Sequence, residues 1–450
     1  FGIPLGRLAD SWHRVRLLSI GLALWSTMTM LSGFARNLTM LTAARMGVGV
    51  GEATASPTAY SLISDYFPAN RRATALAINS SGLYLGGGVS LLIGASIAKA
   101  WNAAYPVGGP LGLVGWQAAF LVVGIPGLLL AIWVATLREP PRPAGHDSAA
   151  PLRRFLADLS TLAPPFTLIH AARRGTKALV VNLVAAAAMI ALALVMIRAT
   201  GNLPQWSAVC FGYYAVFSWA SHLRSADPAT FRLIWGTPAF ICTALGYGLV
   251  SLVAYAIGFW AAPYAETVLK LPKQELAFIL GANGAIAGFL GVIIGGRIAD
   301  ALRRTIPAGR VLVVIFGVLA PIVPIWIAYT TENPALFYTM NFLAGLFGAA
   351  ALGAAAATTQ DLVLPRMRGT ATAAFFLGTT LVGLCFGPYM VGQISDLAGT
   401  MVEGKLIGDL RTGILALIGV APIAVVLLFI AYRAVPGAEA TLAERAGESA

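Results

Sequence analysis

The 450-residue chain is 58% hydrophobic and only 11% charged, with a mean hydropathy of +0.79. Soluble domains carry about 25% charged residues, so a soluble globular enzyme is excluded at the outset. A net charge of +12 would suit a nucleic-acid binder, but the Lys and Arg residues, Arg45 apart, fall between the apolar runs, as in membrane proteins whose basic loops face the cytoplasm.

In chain order, apolar runs long enough to cross a hydrocarbon core of about 30 Å as helices are predicted at 17–36, 39–60, 73–98, 116–137, 178–197, 205–222, 237–262, 276–295, 311–330, 335–357, 370–391 and 412–432. Strong helix formers and 49 glycines suit close-packed helices rather than barrel strands. The fold class is therefore an all-α polytopic membrane protein. Residues 1–5 read as the last turns of an earlier helix, so a first helix and most of a second are expected upstream. The Pro-rich stretch 138–148 opens a basic linker. Within it, 151–174 sets Arg153, Arg154, Arg173 and Arg174 among Leu156, Leu159 and Phe166. That pattern fits either an amphipathic helix on the inner membrane surface or an irregular basic loop. The tail from Gly437 is small and polar and is expected to be disordered. Cys210, Cys242 and Cys385 all sit in apolar stretches, and neither they nor the four His residues have metal-ligand spacing.

Two phrases repeat. GRLAD at 6–10 returns as GRIAD at 296–300, and each is followed by four spans, the first set ending at the linker and the second at the tail. Asp65 to Arg72, with Pro68 inside and Thr74-Ala75 after, returns as Asp361 to Arg368, with Pro365 inside and Thr370-Ala371 after. Two phrases in the same order mark an internal duplication, as in many secondary transporters. The separation of the copies exceeds what six helices need. The excess matches 178–197 and 205–222, read as a helical hairpin inserted between the halves. The organisation is then an N-terminal bundle at 1–137, a linker with the hairpin at 138–236, a C-terminal bundle at 237–433 and a tail at 434–450.

GRLADSWHRVR, Gly6 to Arg16, resembles the loop after helix 2 in the major facilitator superfamily. RMGVGVGEA, Arg45 to Ala53, with Pro57 and then Asp65-Tyr66-Phe67, is similar to the spinster branch of that superfamily. GPYMVGQISD, Gly387 to Asp396, is spinster-like as well. The resemblance implies two pseudo-symmetric six-helix bundles, a proton-linked role for Glu52 and Arg45, and a gating role for the Asp10 motif. It also implies lysophospholipids or sphingoid phosphates as the substrate class. The hairpin departs from the twelve-helix plan of that superfamily. Short loops and a lean sequence point to a bacterial member, hence to a bacterial inner membrane.

Glu52 stands out from the residues alone, as the one acidic group deep within a predicted span. A charge there costs about 3 kcal/mol on insertion scales, so such groups are functional candidates by default. Arg45 lies two helical turns earlier and on the same face. Desolvation opposes the Glu52 charge while Arg45 favours it, and a carboxylate balanced between the two can take and release a proton. The alternative is a permanent buried ion pair that orients the helix. Gly47, Gly49 and Gly51 beside it allow close helix approach or open a cavity wall. Gly6, Asp10, Arg14, Asp65, Arg72, Asp300, Arg304, Asp361 and Arg368 form a set at the inner face. Charge pairs and helix-end dipoles there can lock the halves together, or they serve as ordinary loop caps and topology charges. Tyr60, Asn79, Tyr84, Tyr255, Trp260, Asn283, Asn341, Thr358 and Gln360 are candidates for a central substrate cavity, or are polar groups that pack helices.

No phosphate loop, zinc-protease or nucleophile-elbow motif is present, so neither an enzyme nor a cofactor is indicated. The leading expectation is a monomeric, proton-coupled secondary transporter of amphiphilic, lipid-like substrates, with membrane lipids as its surroundings. A multidrug efflux antiporter and a non-transporting membrane sensor or scaffold are the alternatives.

Overall fold

A computed structural model describes residues 1–141, 151–162, 164–402 and 405–447. Most of the Pro-rich stretch and the last three residues of the tail therefore lie outside the described residues. The first bundle contains α1 (Gly2–Ser11), α2 (Arg14–Ser32), α3 (Leu38–Glu52), α4 (Ala55–Tyr66), α5 (Arg72–Ala104) and α6 (Gly115–Ala135). The linker holds α7 (Pro151–Ser160), α8 (Phe166–Arg173), α9 (Thr176–Thr200), α10 (Leu203–Ala226) and α11 (Pro228–Ile234). The second bundle contains α12 (Pro238–Thr267), α13 (Lys273–Arg303), α14 (Gly309–Leu319), α15 (Ile322–Thr330), α16 (Pro334–Ala349) and α17 (Ala351–Asp361). It continues through α18 (Arg368–Leu377), a π-helical turn at Gly378–Leu384, α19 (Cys385–Leu397), α20 (Leu410–Leu415) and α21 (Ala421–Ala440), before a short α22 (Leu442–Ala446). A small antiparallel pair, β1 (Thr400–Val402) and β2 (Lys405–Ile407), links α19 to α20.

Among the described residues, ten helical stretches are long and apolar enough to cross a membrane. Two of the twelve predicted spans fall outside that set, each for a local reason. The run at 39–60 breaks into α3 and α4, because Pro57 has no N–H for the Ala53 carbonyl and its ring crowds that turn. The run at 205–222 is one helix, α10, but Trp206, Tyr213, Tyr214, Ser218, Trp219 and His222 lower its hydropathy. Its buried stripe of Trp206, Cys210, Tyr214, Trp219 and Leu223 packs inward, while α9 buries only Asn182. Gln205 donates to the Cys385 carbonyl at 2.7 Å and Trp206 to the Tyr389 hydroxyl at 3.1 Å, so the hairpin rests on α19.

The tail corrects an expectation. It is helical rather than disordered: α21 runs on to Ala440 and α22 follows. Glu439 pairs with Arg303 at 2.5 Å, Arg445 reaches Thr237, and Ala446 is buried. Small side chains let this segment lie close against the inner ends of α12 and α13, where Glu439 and Arg445 find partners. In the linker, 151–174 forms the helices α7 and α8, with Phe155 packed on Leu5, Leu8, Ala9 and Leu17.

The basic ends of the helices, which carry Asp10, Asp65, Asp300 and Asp361, are the inner ends by the positive-inside rule. The bundles meet most extensively along α5 and α13, and at the inner end α1 packs on α18. Close approach at both seams depends on small residues. A Cβ on Gly296 would lie 2.6 Å from the Ala77 Cβ and 2.8 Å from the Ala73 carbonyl oxygen. A Cβ on Gly6 would lie 2.7 Å from the Gly369 carbonyl oxygen. Replacing Gly296 with Leu should force α5 from α13 at a cost of about 1–3 kcal/mol. A lowered melting temperature in detergent would show it, whereas Gly94→Ala, with open space around its Cβ, should leave that temperature unchanged.

Candidate functional site

At the inner face, each repeated Asp ends on a helix of the opposite bundle. Asp10 accepts the Gly369 amide at 2.6 Å, the Thr370 amide at 2.7 Å and the Thr370 hydroxyl at 2.6 Å, all in the first turn of α18. Asp300 accepts the Ala73 amide at 3.2 Å and both the Thr74 amide and hydroxyl at 2.8 Å, in the first turn of α5. These N–H groups have no partner inside their own helix, and the positive end of the helix dipole favours a carboxylate there.

Around the two caps lies a second symmetric set. Asp65 pairs with Arg14 of its own bundle and Arg368 of the other. Asp361 pairs with Arg310 of its own bundle and Arg72 of the other. The Ser64 carbonyl accepts from Arg72 at 3.0 Å and from Arg368 at 3.1 Å. Arg14, fully buried, also donates to Ser61 at 3.0 Å and to Glu139 at 2.7 Å. Arg310 reaches Asp300 at 2.9 Å. The structure thus brings together Gly6, Asp10, Arg14, Asp65, Arg72, Asp300, Asp361 and Arg368.

Arg304 is the exception. It is exposed and forms no ion pair among the described residues; Arg310 takes the place expected for it. Arg14 opens α2 and Arg310 lies in the first turn of α14, so the arginine keeps its distance from the start of the next helix, not from the preceding Asp. The loop after GRIAD is longer than the loop after GRLAD, and spacing from Asp300 therefore misplaces it. Glu139, just beyond α6, carries no sequence signal of its own.

Above this network an aromatic layer closes the centre. Tyr247 stacks on Phe375 with centroids 5.2 Å apart, Phe375 meets Phe376 at 5.3 Å, and Phe376 meets Tyr60 at 5.5 Å. Beyond the layer lies a cavity of about 670 Å³ in the outer half of the second bundle. Its walls come from α12 at 247–262, α13 at 276–288, α14–α16 and the start of α21, with Leu83, Tyr84, Gly87 and Gly88 of α5 on one flank. Among the described residues, no charged side chain lines it. Its polar groups are Tyr84, Tyr247, Ser251, Tyr255, Asn283 and Asn341.

Four of the nine cavity candidates line this space: Tyr84, Tyr255, Asn283 and Asn341. The other five do not line this space. Tyr60 is 2% exposed, bonds Ser80 at 2.6 Å and belongs to the aromatic layer. Trp260 pins α12 to α19 through the Pro388 carbonyl at 2.8 Å. Thr358 bonds back to Ala354 within its helix at 2.9 Å. Gln360 joins α17 to α18 through Thr372 at 2.8 Å. Asn79 faces a separate groove at the inner end. Tyr247 and Ser251 were not legible because in sequence they read as ordinary residues of an apolar span.

Glu52 is the last residue of α3, at the kink made by Pro57. It is exposed on an open face and makes no ion pair with Arg45 among the described residues. Arg45, also exposed, lies over the Phe120 ring at 5.8 Å. Gly47 and Gly51 pack on α2 against Met28 and Trp25, while Gly49 faces open space.

The Major Facilitator Superfamily model matches residues 1–388. An MFS-type efflux pump of Mycolicibacterium smegmatis is 25% identical over 88% of this chain and 72% of its own length. Protein spinster of Drosophila melanogaster is 24% identical over 87% of this chain, which spans only 52% of that protein. In fold, the chain is similar to the inward-facing, unoccupied crystal structure of a bacterial homologue of the human lysosomal transporter spinster. That likeness has a TM-score of 0.52 at 24% identity and covers 99% of this chain and 86% of the other. The family model and the helical architecture together establish that this chain belongs to the Major Facilitator Superfamily, as a multi-pass membrane transporter with spinster proteins among its relatives.

Proposed function

We propose that the chain is a proton-coupled secondary transporter of amphiphilic, lipid-like molecules that works by alternating access. The observation that carries this reading is the pairing of a charge-free, outer-half cavity with an inner face closed by caps crossing between the bundles. An apolar chain gains about 25 cal/mol for each Å² it buries in such a cavity, and Asn283, Asn341 and the three tyrosines offer hydrogen bonds to a polar end. A dicarboxylate or sugar phosphate would find no counter-charge there.

Proton coupling is assigned to Glu52 with Arg45, and the internal repeat supports it. Counting back from Asp65 and from Asp361 places Arg45 opposite Asn341 and Glu52 opposite Gly348. Both counterparts line the cavity, so Arg45 and Glu52 occupy the positions that face the centre in the other half. Neutralised by a proton, Glu52 can be enclosed at far lower cost than as an ion. Opening of the inner face then requires the Asp10 and Asp300 caps to part. A second reading, efflux of hydrophobic cations, is favoured by the tyrosine faces at 84, 247 and 255, which attract cations, and by the efflux-pump relative.

Reconstituted vesicles test these assignments. An imposed pH gradient should drive lysolipid uptake, and Glu52→Gln should abolish it while substrate binding persists; loss of folded protein would instead make Glu52 structural. If lipophilic dyes move and lysolipid does not, the efflux reading replaces the lipid one.

Gly284 lines the cavity with open space around its Cβ, so Gly284→Trp should fill it. Binding should weaken at least about tenfold, and unchanged binding would place the substrate elsewhere.

The double change Asp10→Asn and Asp300→Asn should open the inner face. With about 1 kcal/mol lost at each cap, the inner-open population should rise roughly thirtyfold relative to the closed one. Spin-label distances between α5 and α13 at the inner end measure it, and unaltered distances would remove the gating role.

A further inference from the structure

The motif arginine beside each close-approach glycine has a different fate in the two halves. Arg7, after Gly6, is neutralised by Asp158 of the linker helix α7 at 3.3 Å. Arg297, after Gly296, has no carboxylate partner among the described residues; it is exposed and lines an open groove of about 570 Å³. The same groove holds Arg71 and Arg304, likewise exposed and unpaired among the described residues. Its one acidic residue, Asp300, is already engaged by Arg310 and by the amides of α5. The rest of the lining mixes Asn70, Thr74 and Asn79 with an apolar set in which Ile63, Phe67 and Ile78 are the largest side chains.

We propose that this groove binds an anionic phospholipid of the inner leaflet, its phosphate held by Arg71, Arg297 and Arg304 and its upper acyl chains laid along Ile63, Phe67 and Ile78. The placement favours a lipid over a soluble anion. Guanidiniums suit a phosphate through charge and paired N–H donors, and Asn70 and Asn79 can add donors, but Ile63, Phe67 and Ile78 have nothing to offer free phosphate and match hydrocarbon. Arg71 belongs to the first bundle and Arg297 and Arg304 to the second, so one headgroup bridges both. The bound lipid thereby holds the inner face closed, filling from the membrane the role that Asp158 plays for Arg7.

Native mass spectrometry of the purified protein, titrated with phosphatidylglycerol and separately with phosphatidylcholine, tests this. Wild type should retain phosphatidylglycerol in preference to phosphatidylcholine. Replacing Arg71, Arg297 and Arg304 together by Gln should weaken that retention about a hundredfold, at roughly fivefold for each charge near the membrane surface. The matching triple change to Lys, which keeps the charges, should hold most of it and guards against a loss caused by misfolding. Equal retention by the Gln variant, equal binding of phosphatidylcholine, or displacement of phosphatidylglycerol by inorganic phosphate would each overturn the assignment.

Discussion

The arrangement of the two bundles depends on one interaction used twice: a carboxylate ending on the N-terminus of a helix from the other half. Asp10 meets α18 and Asp300 meets α5 in this way. The glycine of each motif precedes its Asp by four residues, which puts the two on one helix face a turn apart. Gly6 and Gly296 let the backbones touch, and one turn further the carboxylate reaches the exposed amides. The arginine between them points off that seam, toward α7 in one half and toward the open groove in the other. The Gly and the Asp of GRLAD therefore follow from the crossing of two helices whose first-turn N–H groups need an acceptor.

Charges suit a contact that must open and close. Parting an apolar seam exposes surface at about 25 cal/mol per Å² with nothing to offset it. Parting an ion network exchanges each partner for water, which solvates the separated charges. The inner-face network nevertheless demands completeness when shut, because Asp300 is 4% exposed, Arg310 2% and Arg14 0%, and a buried charge that loses its partner is strongly unfavourable. Under the proposed function, such a contact is shut only when every member is in register.

Much of this inner face was readable in the sequence because the duplication wrote it twice. Asp10, Asp65, Arg72, Asp300, Asp361 and Arg368 could be paired by position. Arg310 escaped because the loop before α14 lengthened, so that Arg304 took its expected spacing without its surroundings. The cavity was less legible. Polar residues on a membrane helix look alike in sequence whether they line a space, as Asn283 does, or bind a neighbouring helix, as Gln360 does. Which of these a residue does depends on helix rotation, and nearly uniform hydrophobicity around each span leaves rotation unmarked. The tail misled for a related reason: small residues with few charges read as disorder until the surface they pack on is known.

The halves also differ, and under the proposed function the differences fall where chemistry is required. Asn341 and Gly348 leave the cavity wall of the second half uncharged. At the matching positions the first half carries Arg45 and Glu52. Pro57 follows the break after Glu52, whereas its counterpart by the same count is Gly353, and the second half breaks between α16 and α17 without a proline. A kink frees a backbone carbonyl and loosens the local helix, which lets the Glu52 carboxylate change its surroundings without moving the whole span. Under the proposed function, a scaffold kept symmetric for closing, with charge on one wall only, fits a substrate that is itself asymmetric, apolar along its length and polar at one end.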